Sequence, residues 1–152
     1  MLKLEDFKAA KKRVDEVILP THLIHSDAFS EECGNDVYIK PENLQKTGAF
    51  KIRGAYNKIM KLDDEAKKKG LIASSAGNHA QGVAYAAKKL GVKATICMPA
   101  HTPLIKVDAT KAHGADVVLY GEAYDDYKKV KDTLLFILLM MKMLWKGKEQ
   151  LL

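Results

Sequence analysis

The feature that most constrains the fold is an alternation of short apolar runs and helical patterns between residues 71 and 119. The apolar runs have the length of buried strands, and the helical patterns between them end at Gly91 and Gly114. Strands that alternate with helices in this way predict βαβ units with right-handed crossovers. The predicted fold class is therefore α/β, a three-layer parallel sheet with flanking helices. The predicted order is a strand over Leu71–Ser74, a helix over 79–90, a strand over Ala94–Met98, a helix from Thr102 to about His113 and a strand over Asp116–Leu119.

Other helices are predicted on both sides of this alternation. The first is amphipathic and stops before Pro20, and we expect its apolar stripe to belong to the core. A charged helix covers residues 63–69, and another helix begins near Ala123. The apolar stripe of the first helix consists of Leu4, Phe7, Ala10, Val14 and Val17.

Within the strand and helix alternation at 71–119, Thr102 is predicted to cap the helix that follows it.

A loop of small residues at 74–78 lies where a parallel sheet binds its ligands, beyond the carboxyl ends of the strands. Small residues let the backbone approach a ligand closely, and the N–H groups at a helix start favour an anion. The carboxylate of an amino acid fits such a site. The alternative is that a serine of this loop or Asn78 only caps the helix, as these residue types do widely, and on the residues alone this is the simpler interpretation.

A second candidate site is Lys51. An extended run over residues 36–40 meets Pro41, a polar loop follows, and a helix is predicted to begin near Phe50. Lys51 therefore lies at a strand–loop–helix junction, beside an aromatic ring. A lysine amine held next to apolar surface is the kind whose pKa falls and whose nitrogen becomes nucleophilic. The alternative is an ordinary solvated lysine, since most lysines are exposed.

These two stretches resemble one enzyme family. The segment P-E-N-L-Q-K-T-G-A-F-K-I-R-G at 41–54 and S-S-A-G-N-H-A-Q-G at 74–82 are similar to segments of threonine ammonia-lyases, also called threonine dehydratases. These are fold-type II pyridoxal-phosphate enzymes of the tryptophan-synthase-β-like group. The resemblance continues through M-P at 98–99, T-P-L-I-K-V at 102–107 and G-A-D-V-V-L-Y-G at 114–121, and it covers about residues 1–131. His22 stands where the family usually has proline.

The resemblance implies a role for each motif residue. Lys51 would carry pyridoxal 5′-phosphate as a Schiff base, Phe50 would pack against the pyridine ring, and Asn78 would contact the 3′-oxygen of the cofactor. The substrate carboxylate would be bound by the loop and the start of its helix, that is by Ser74, Ser75, Ala76, Gly77, Asn78 and His79. No metal is expected.

The implied reaction is a lyase reaction on a small amino acid. Lys51 would act as the base at the α-carbon, with the cofactor as electron sink. Loss of the β-hydroxyl would give an enamine, whose hydrolysis yields 2-oxobutanoate and ammonia from threonine, or pyruvate and ammonia from serine. A serine racemase-like enzyme and a non-catalytic α/β fragment are the alternatives. Isoleucine biosynthesis is an expectation of the family, although the sequence leaves a biosynthetic or catabolic role open.

Composition excludes few other classes. The net charge is +6, but the lysines are spread along helical faces and no recognition motif is present, so no nucleic-acid partner is expected. Gly77 and Gly82 mimic a nucleotide-binding loop, but Val83 stands where that loop needs its lysine. Cys33 and Cys97 lack metal-ligand spacing and are expected to be reduced thiols in a cytoplasmic protein. No signal peptide is expected, because charge interrupts the first helix.

The predicted organisation has three parts. Residues 1–55 would be the N-terminal part of the large pyridoxal-phosphate domain, 56–131 a small α/β domain, and 132–152 a divergent tail. No two glycines adjoin, so the Gly-rich loop by which the family cradles phosphate is absent from the sequence. We therefore expect an N-terminal fragment with weak activity or none. The family is oligomeric, and the oligomeric state of this chain is left open.

The tail has two further interpretations. Its apolar run is shorter than the ~20 residues of a membrane-spanning helix, and an interfacial helix is the membrane alternative, although no membrane partner is expected. Suitable codons for residues 138–151 let the neighbouring reading frame spell F-D-D-E-D-V-M-E-G-Q-G-T-I, which resembles the family sequence after F-I-H-P. We therefore interpret the tail as the product of a frameshift, which the nucleotide sequence tests.

Overall fold

A computed structural model describes residues 2–121 of the chain. The predicted helix near Ala123 and the divergent tail at 132–152 lie outside the described residues. The predicted boundary between residues 55 and 56 falls inside a helix, and the division into two domains stays a prediction. The elements are α1 (Leu4–Val14), β1 (Ile24–His25), α2 (Asp27–Cys33), β2 (Tyr38–Ile39), a 3₁₀ turn (Glu42–Leu44), α3 (Lys51–Met60), α4 (Asp64–Lys69), β3 (Leu71–Ser74), α5 (Asn78–Lys89), β4 (Ala94–Met98), α6 (Leu104–Ala112) and β5 (Asp116–Leu119).

The predicted parallel sheet is present. Its order is β3-β4-β5, both pairs are parallel, and Ser74 lies opposite Cys97 at the carboxyl end. The three predicted strands have the observed bounds, because each is a short apolar run between turn residues. The α/β fold class, a parallel sheet with helices packed on it, is confirmed.

The core joins the sheet to α3 and α5. Gly82 and four alanines of α5 are buried, so this helix presents little side-chain bulk to its neighbours. Small side chains let two helices approach closely, and α3 packs along α5 in this way. The fully buried side chains with the largest volume are Ile52, Ile59, Ile96, Met98 and Thr110.

The first helix differs from its prediction. α1 ends at Val14, and Val14 and Val17 are buried as expected. Leu4 and Phe7, however, are 62% and 59% exposed, so the expectation that the whole stripe is core is wrong. The physical reason is that α1 buries only one of its residues, Val14, near its C-terminal end, while Phe7 borders a cavity between α1 and α3.

A small antiparallel ladder was not predicted. β1 and β2 pair through Ile24 with Ile39 and His25 with Tyr38, and the extended run expected near Lys40 supplies β2. β1 has only two residues, both exposed, and so shows no periodicity that a sequence pattern reveals. The ladder is extended by a hydrogen bond from the Ser26 N–H to the Val37 carbonyl, 2.9 Å.

Thr102 does not cap α6, contrary to the prediction. The cap position is Pro103, which offers no side-chain hydrogen bond, and the helix begins at Leu104. The Thr102 side chain is turned inward instead. Thr102 is 7% exposed, and its hydroxyl has no hydrogen-bond partner within the part of the chain that the structure describes. Between residues 2 and 121, no helix is long and apolar enough to cross a membrane.

Candidate functional site

Lys51 is the first residue of α3, as the sequence predicts. Phe50 is the residue before the helix, and its backbone is already near-helical. The Lys51 Nζ lies 4.9 Å from the centroid of the Phe50 ring, a distance at which an ammonium is attracted to the face of an aromatic ring. Phe50 is 52% exposed, so one side of this pair is open to a ligand.

The loop before Lys51 is held by a buried glutamine. Gln45 is 3% exposed, and its side chain accepts a hydrogen bond from the Leu19 N–H (2.7 Å) and donates one to the Leu19 carbonyl (2.9 Å). Gly48 turns the chain towards the helix with a φ of +65°, a left-handed conformation that glycine adopts without strain. The loop is therefore an ordered connection whose path to Lys51 is fixed.

The loop is also tied to α3 by charge. Arg53 donates to both carboxylate oxygens of Glu42, from Nε to Oε2 at 2.8 Å and from Nη2 to Oε1 at 2.7 Å. The Arg53 hydrogen bonds, opposed in part by burial, lower the pKa of Glu42 to about 2, and the Thr21 hydroxyl contributes in the same direction. The Glu42 carboxylate in turn raises the pKa of Arg53. Both groups are therefore charged at neutral pH.

Helix α5 touches the backbone of Lys51 at Gly82. A Cβ added to Gly82 would lie 3.1 Å from the Lys51 carbonyl carbon, 3.1 Å from the Ile52 nitrogen and 3.2 Å from the Lys51 Cβ. Two of these three atoms belong to the backbone, which moves less readily than the end of a flexible side chain. Glycine at position 82 is thus what allows α5 to lie against the start of α3.

The loop at 74–79 connects β3 to α5 at the carboxyl edge of the sheet. Its backbone is paired to the neighbouring strand by a hydrogen bond from the Ser75 N–H to the Cys97 carbonyl, 3.1 Å. Gly77 precedes α5, and no side chain caps the helix there. Neither Ser74 nor Asn78 therefore caps the helix within the described residues, whereas the Ser75 hydroxyl accepts a hydrogen bond from the Gly77 N–H at 3.3 Å.

Two features leave room for a ligand at this loop. A Cβ added to Gly77 would meet nothing within 4 Å, and the Gly77 φ of −125° is open to any residue, so neither packing nor strain within the described chain demands glycine. The Ser74 hydroxyl is buried without a hydrogen-bond partner in the same part of the structure. Ala76 is buried, Ser75 and His79 are partly buried, and Asn78 is exposed.

His79 connects the loop to Lys51. Burial lowers the pKa of His79, and the nearby positive charge of Lys51 lowers it further. The imidazole is therefore neutral at neutral pH, and it lies close enough to Lys51 to sense its charge. Together with the Gly82 contact, this brings both sequence-predicted sites to one region of the molecule.

Two other features lie elsewhere. A cavity of about 430 Å³ between α1 and α3 has a mainly apolar lining that includes Phe7, Ala10, Arg13 and Asn57, but neither Lys51 nor any residue of the loop at 74–79. Residues 2–121 contain no group of three or more His, Cys, Asp or Glu side chains that could hold a metal ion.

The sequence identifies the motif residues but not the residues that hold them in place. The sequence assigns no role to Thr21, Glu42 or Arg53, and Gly82 is only a motif residue and part of a nucleotide-loop pattern. Glu42, Arg53 and Gly82 lie inside the two matching motifs, and that was the available signal. No local spacing indicates that residue 42 contacts residue 53 or that residue 82 touches residue 51.

The fold is α/β, with a loop of small residues at the carboxyl edge of a parallel sheet and Lys51 in the same region of the molecule. Residues 14–134 match the family described as "Pyridoxal-phosphate dependent enzyme". The chain is 52% identical over 126 residues to the L-threonine ammonia-lyase of Thermotoga maritima, covering 83% of this chain and 31% of that protein. It is 45% identical over 123 residues to the catabolic L-threonine dehydratase of Escherichia coli K12, covering 81% and 37%.

A solved structure gives the same result. The serine racemase of Dictyostelium discoideum superimposes with a TM-score of 0.81 at 36% identity, covering 88% of this chain and 44% of that one. The chain therefore belongs to the family of pyridoxal-phosphate-dependent enzymes, and the resemblance to threonine ammonia-lyases is confirmed. The chain spans about a third of the length of the two threonine-degrading relatives it matches.

Proposed function

We propose that this chain carries the cofactor lysine and the substrate loop of a pyridoxal-phosphate-dependent ammonia-lyase that acts on L-threonine or L-serine. The observation that carries the proposal is the placement of Lys51. It begins α3 with its ammonium against the Phe50 ring, and it packs on the helix that follows the loop at 74–79.

The residues fit the cofactor. A primary amine beside an exposed aromatic face suits an aldehyde on a flat heteroaromatic ring, because the ring can stack on Phe50 while the amine binds the aldehyde carbon. Pyridoxal phosphate, when bound, supplies an electron sink for charge that develops at the substrate α-carbon. Asn78, exposed at the start of α5, is the proposed contact to the 3′-oxygen.

The chain's own residues have two tasks in this reaction. Lys51 would hold the cofactor through Nζ, and its free amine would remove the proton from the substrate α-carbon. The loop of Ser74, Ser75, Ala76 and Gly77, with His79 behind it, would hold the substrate carboxylate. Open space at Gly77 and the lack of a side-chain cap on α5 among the described residues support this assignment, since N–H groups at a helix start bind anions. The Gly77 N–H itself donates to the Ser75 hydroxyl at 3.3 Å, within the loop.

The experiment tests the lysine directly. Purified chain is incubated with pyridoxal phosphate, reduced with borohydride, and mapped by peptide mass spectrometry. Label is expected to concentrate on Lys51 and to be lost in Lys51→Ala. It is expected to persist in Lys46→Ala, which removes an exposed lysine of the same loop. Label spread evenly over the lysines, or unchanged labelling in Lys51→Ala, would contradict the proposal.

Turnover is a separate question. Because the chain spans about a third of its relatives, we propose weak activity or none for it alone, so a non-catalytic α/β fragment is the alternative for the isolated chain. Release of 2-oxobutanoate from L-threonine, and of pyruvate from L-serine, measures the activity and the substrate preference together.

Serine racemase chemistry is the second candidate, and the structural match to the Dictyostelium enzyme favours it. Formation of D-serine from L-serine, measured by chiral chromatography beside pyruvate, separates it from the lyase reaction. A role in amino-acid metabolism follows from either reaction. Isoleucine biosynthesis and a cytoplasmic location remain proposals, and the Escherichia coli relative is named as a catabolic enzyme.

A further inference from the structure

Three side chains form a nearly closed cluster at the base of the Lys51 loop. Arg53 and Glu42 make two parallel hydrogen bonds, the arrangement that guanidinium and carboxylate favour. The Thr21 hydroxyl donates to Glu42 Oε1 at 2.5 Å and accepts a bond from Arg53 Nη2 at 3.3 Å. Only 28% of the Arg53 side chain and 17% of the Glu42 side chain is exposed. The cluster is therefore a specific structure and not a loose surface ion pair.

The cluster joins the two ends of the loop that leads to Lys51. Glu42 lies at the start of the loop and Arg53 in the first turn of α3, eleven positions apart in sequence, so one ion pair joins both ends. Thr21 anchors that pair to the segment after α1, and Lys40 donates to the Thr21 carbonyl at 2.6 Å. Lys51 lies within this closed loop, two residues before Arg53.

We propose that Glu42, Arg53 and Thr21 are positioning residues for Lys51, which set the direction in which its amine leaves α3. The inference rests on the proposed function of Lys51 as the cofactor lysine. A small rotation of the first turn of α3 shifts the Lys51 nitrogen, at the end of a four-carbon side chain, by a fraction of an ångström, and displacements of that order matter for a reacting group. The fork of Arg53 resists that rotation because two bonds fix a plane, whereas the single ammonium of a lysine does not.

A merely structural role makes a different prediction. A pair that only adds stability would, when weakened, lower the folded fraction and expose all lysines alike. A positioning pair would change the reactivity of Lys51 while the remaining lysines keep theirs. The two roles are separated by measuring each lysine in protein of equal folded fraction.

The test uses Arg53→Lys and Glu42→Gln in the full chain, with pyridoxal phosphate as the probe and borohydride to fix the adduct as a secondary amine. Circular dichroism gives the folded fraction. At saturating probe, the rate of modification at Lys51 is expected to fall about tenfold or more in both variants, because small misplacements cost reactions heavily. Labelling at the remaining lysines is expected to stay at the wild-type level.

Arg13→Lys is the matched control. Arg13 also reaches α3, donating from Nε to Asn57 Oδ1 at 2.7 Å, but its contact lies more than a turn beyond Lys51. In this variant, pyridoxal phosphate is expected to modify Lys51 at the wild-type rate. If Arg53→Lys fails to fold, Thr21→Val replaces it, because this change keeps the ion pair and removes only the hydroxyl. A slower reaction of Lys51 in Thr21→Val supports the inference.

The outcomes are distinct. Wild-type rates at Lys51 in folded Arg53→Lys and Glu42→Gln, or in Thr21→Val where it replaces them, overturn the inference and leave the proposed function standing. An equal loss in Arg13→Lys also overturns it, since the effect is then not specific to the cluster. Absence of preferential Lys51 labelling in the wild-type chain overturns the proposed function and this inference with it.

Discussion

At the scale of single residues, the Glu42 carboxylate has the most perturbed environment near the site. It accepts three hydrogen bonds of 2.5 to 2.8 Å, from Arg53 and from the Thr21 hydroxyl. Its pKa falls from 4.5 to about 2, so the folded protein holds the charged form more firmly than the unfolded chain does. A carboxyl group with a depressed pKa stabilises the fold above its unfolded pKa and loses that contribution as the pH falls through the folded value.

This gives a pH-dependent prediction. The difference in unfolding free energy between wild type and Glu42→Gln is expected to be about 2 kcal/mol above pH ~5, reduced from the full effect of the shift because solvent screens a partly exposed pair. It should shrink as the pH falls from about 4.5 towards 2, where Glu42 becomes protonated. Urea denaturation at a series of pH values measures it.

An exposed pair provides the control for that titration. Glu65 contacts Lys69 at 2.8 Å, but both side chains are more than 70% exposed, so Glu65→Gln is expected to change stability little at any of these pH values. Parallel stability curves for wild type and Glu42→Gln across the acidic range would show that the pair does not stabilise the fold through charge.

At the scale of secondary structure, the contact of α5 with the start of α3 depends on the absence of a side chain at Gly82. Gly82→Ala improves helix propensity, yet its Cβ meets backbone atoms of Lys51 and Ile52 at 3.1 Å. The two helices must separate by a few tenths of an ångström, and overpacking of this kind costs about 1–3 kcal/mol. We expect a lower melting temperature and a slower Lys51 reaction with pyridoxal phosphate.

Gly77→Ala is the matched change for the stability measurement. It lies at the start of the same helix, its Cβ meets nothing within 4 Å, and its φ is not in the left-handed region. Its effect on unfolding is expected to stay below about 1 kcal/mol. If Gly82→Ala is as stable as Gly77→Ala and Lys51 reacts normally in it, the close helix contact is not needed.

At the scale of the whole molecule, one apolar core runs from the N-terminal segment to the sheet. Val17, after α1, belongs to the same buried cluster as Ile59 of α3 and Ile96 of β4. A shared core predicts cooperative unfolding, in which a change at one end is felt at the other. The N-terminal segment should therefore help to stabilise the sheet that carries the loop at 74–79.

Val17→Ala tests that expectation. Val17 is 2% exposed, and removing its two methyl groups is expected to cost about 2 kcal/mol through lost burial and a small cavity. Native-state hydrogen exchange of the β4 amides should accelerate accordingly. Leu4→Ala, at a side chain 62% exposed, should leave that exchange nearly unchanged. Unaltered β4 exchange in Val17→Ala would mean that the two regions unfold independently.

The amino-acid sequence alone predicts the parallel sheet, because Leu71–Ser74, Ala94–Met98 and Asp116–Leu119 are short apolar runs separated by helices with clear stops. It also determined that Lys51 follows Phe50 at a helix start and that small residues precede α5, since these are properties of neighbours in the chain. The exposure of Leu4 and Phe7 follows from packing and not from the sequence pattern, because periodicity indicates an apolar face but not what lies against it.

The supports of the site were likewise decided by the tertiary structure. Arg53 contacts Glu42 and Thr21, and Gly82 lies against Lys51. These residues are too far apart in sequence for a local pattern to predict the contacts. The chemistry that Lys51 can perform is carried by its residue type. The contacts around it, the ion pair of Arg53 with Glu42 and the close approach of α5 at Gly82, form only once distant segments have packed together.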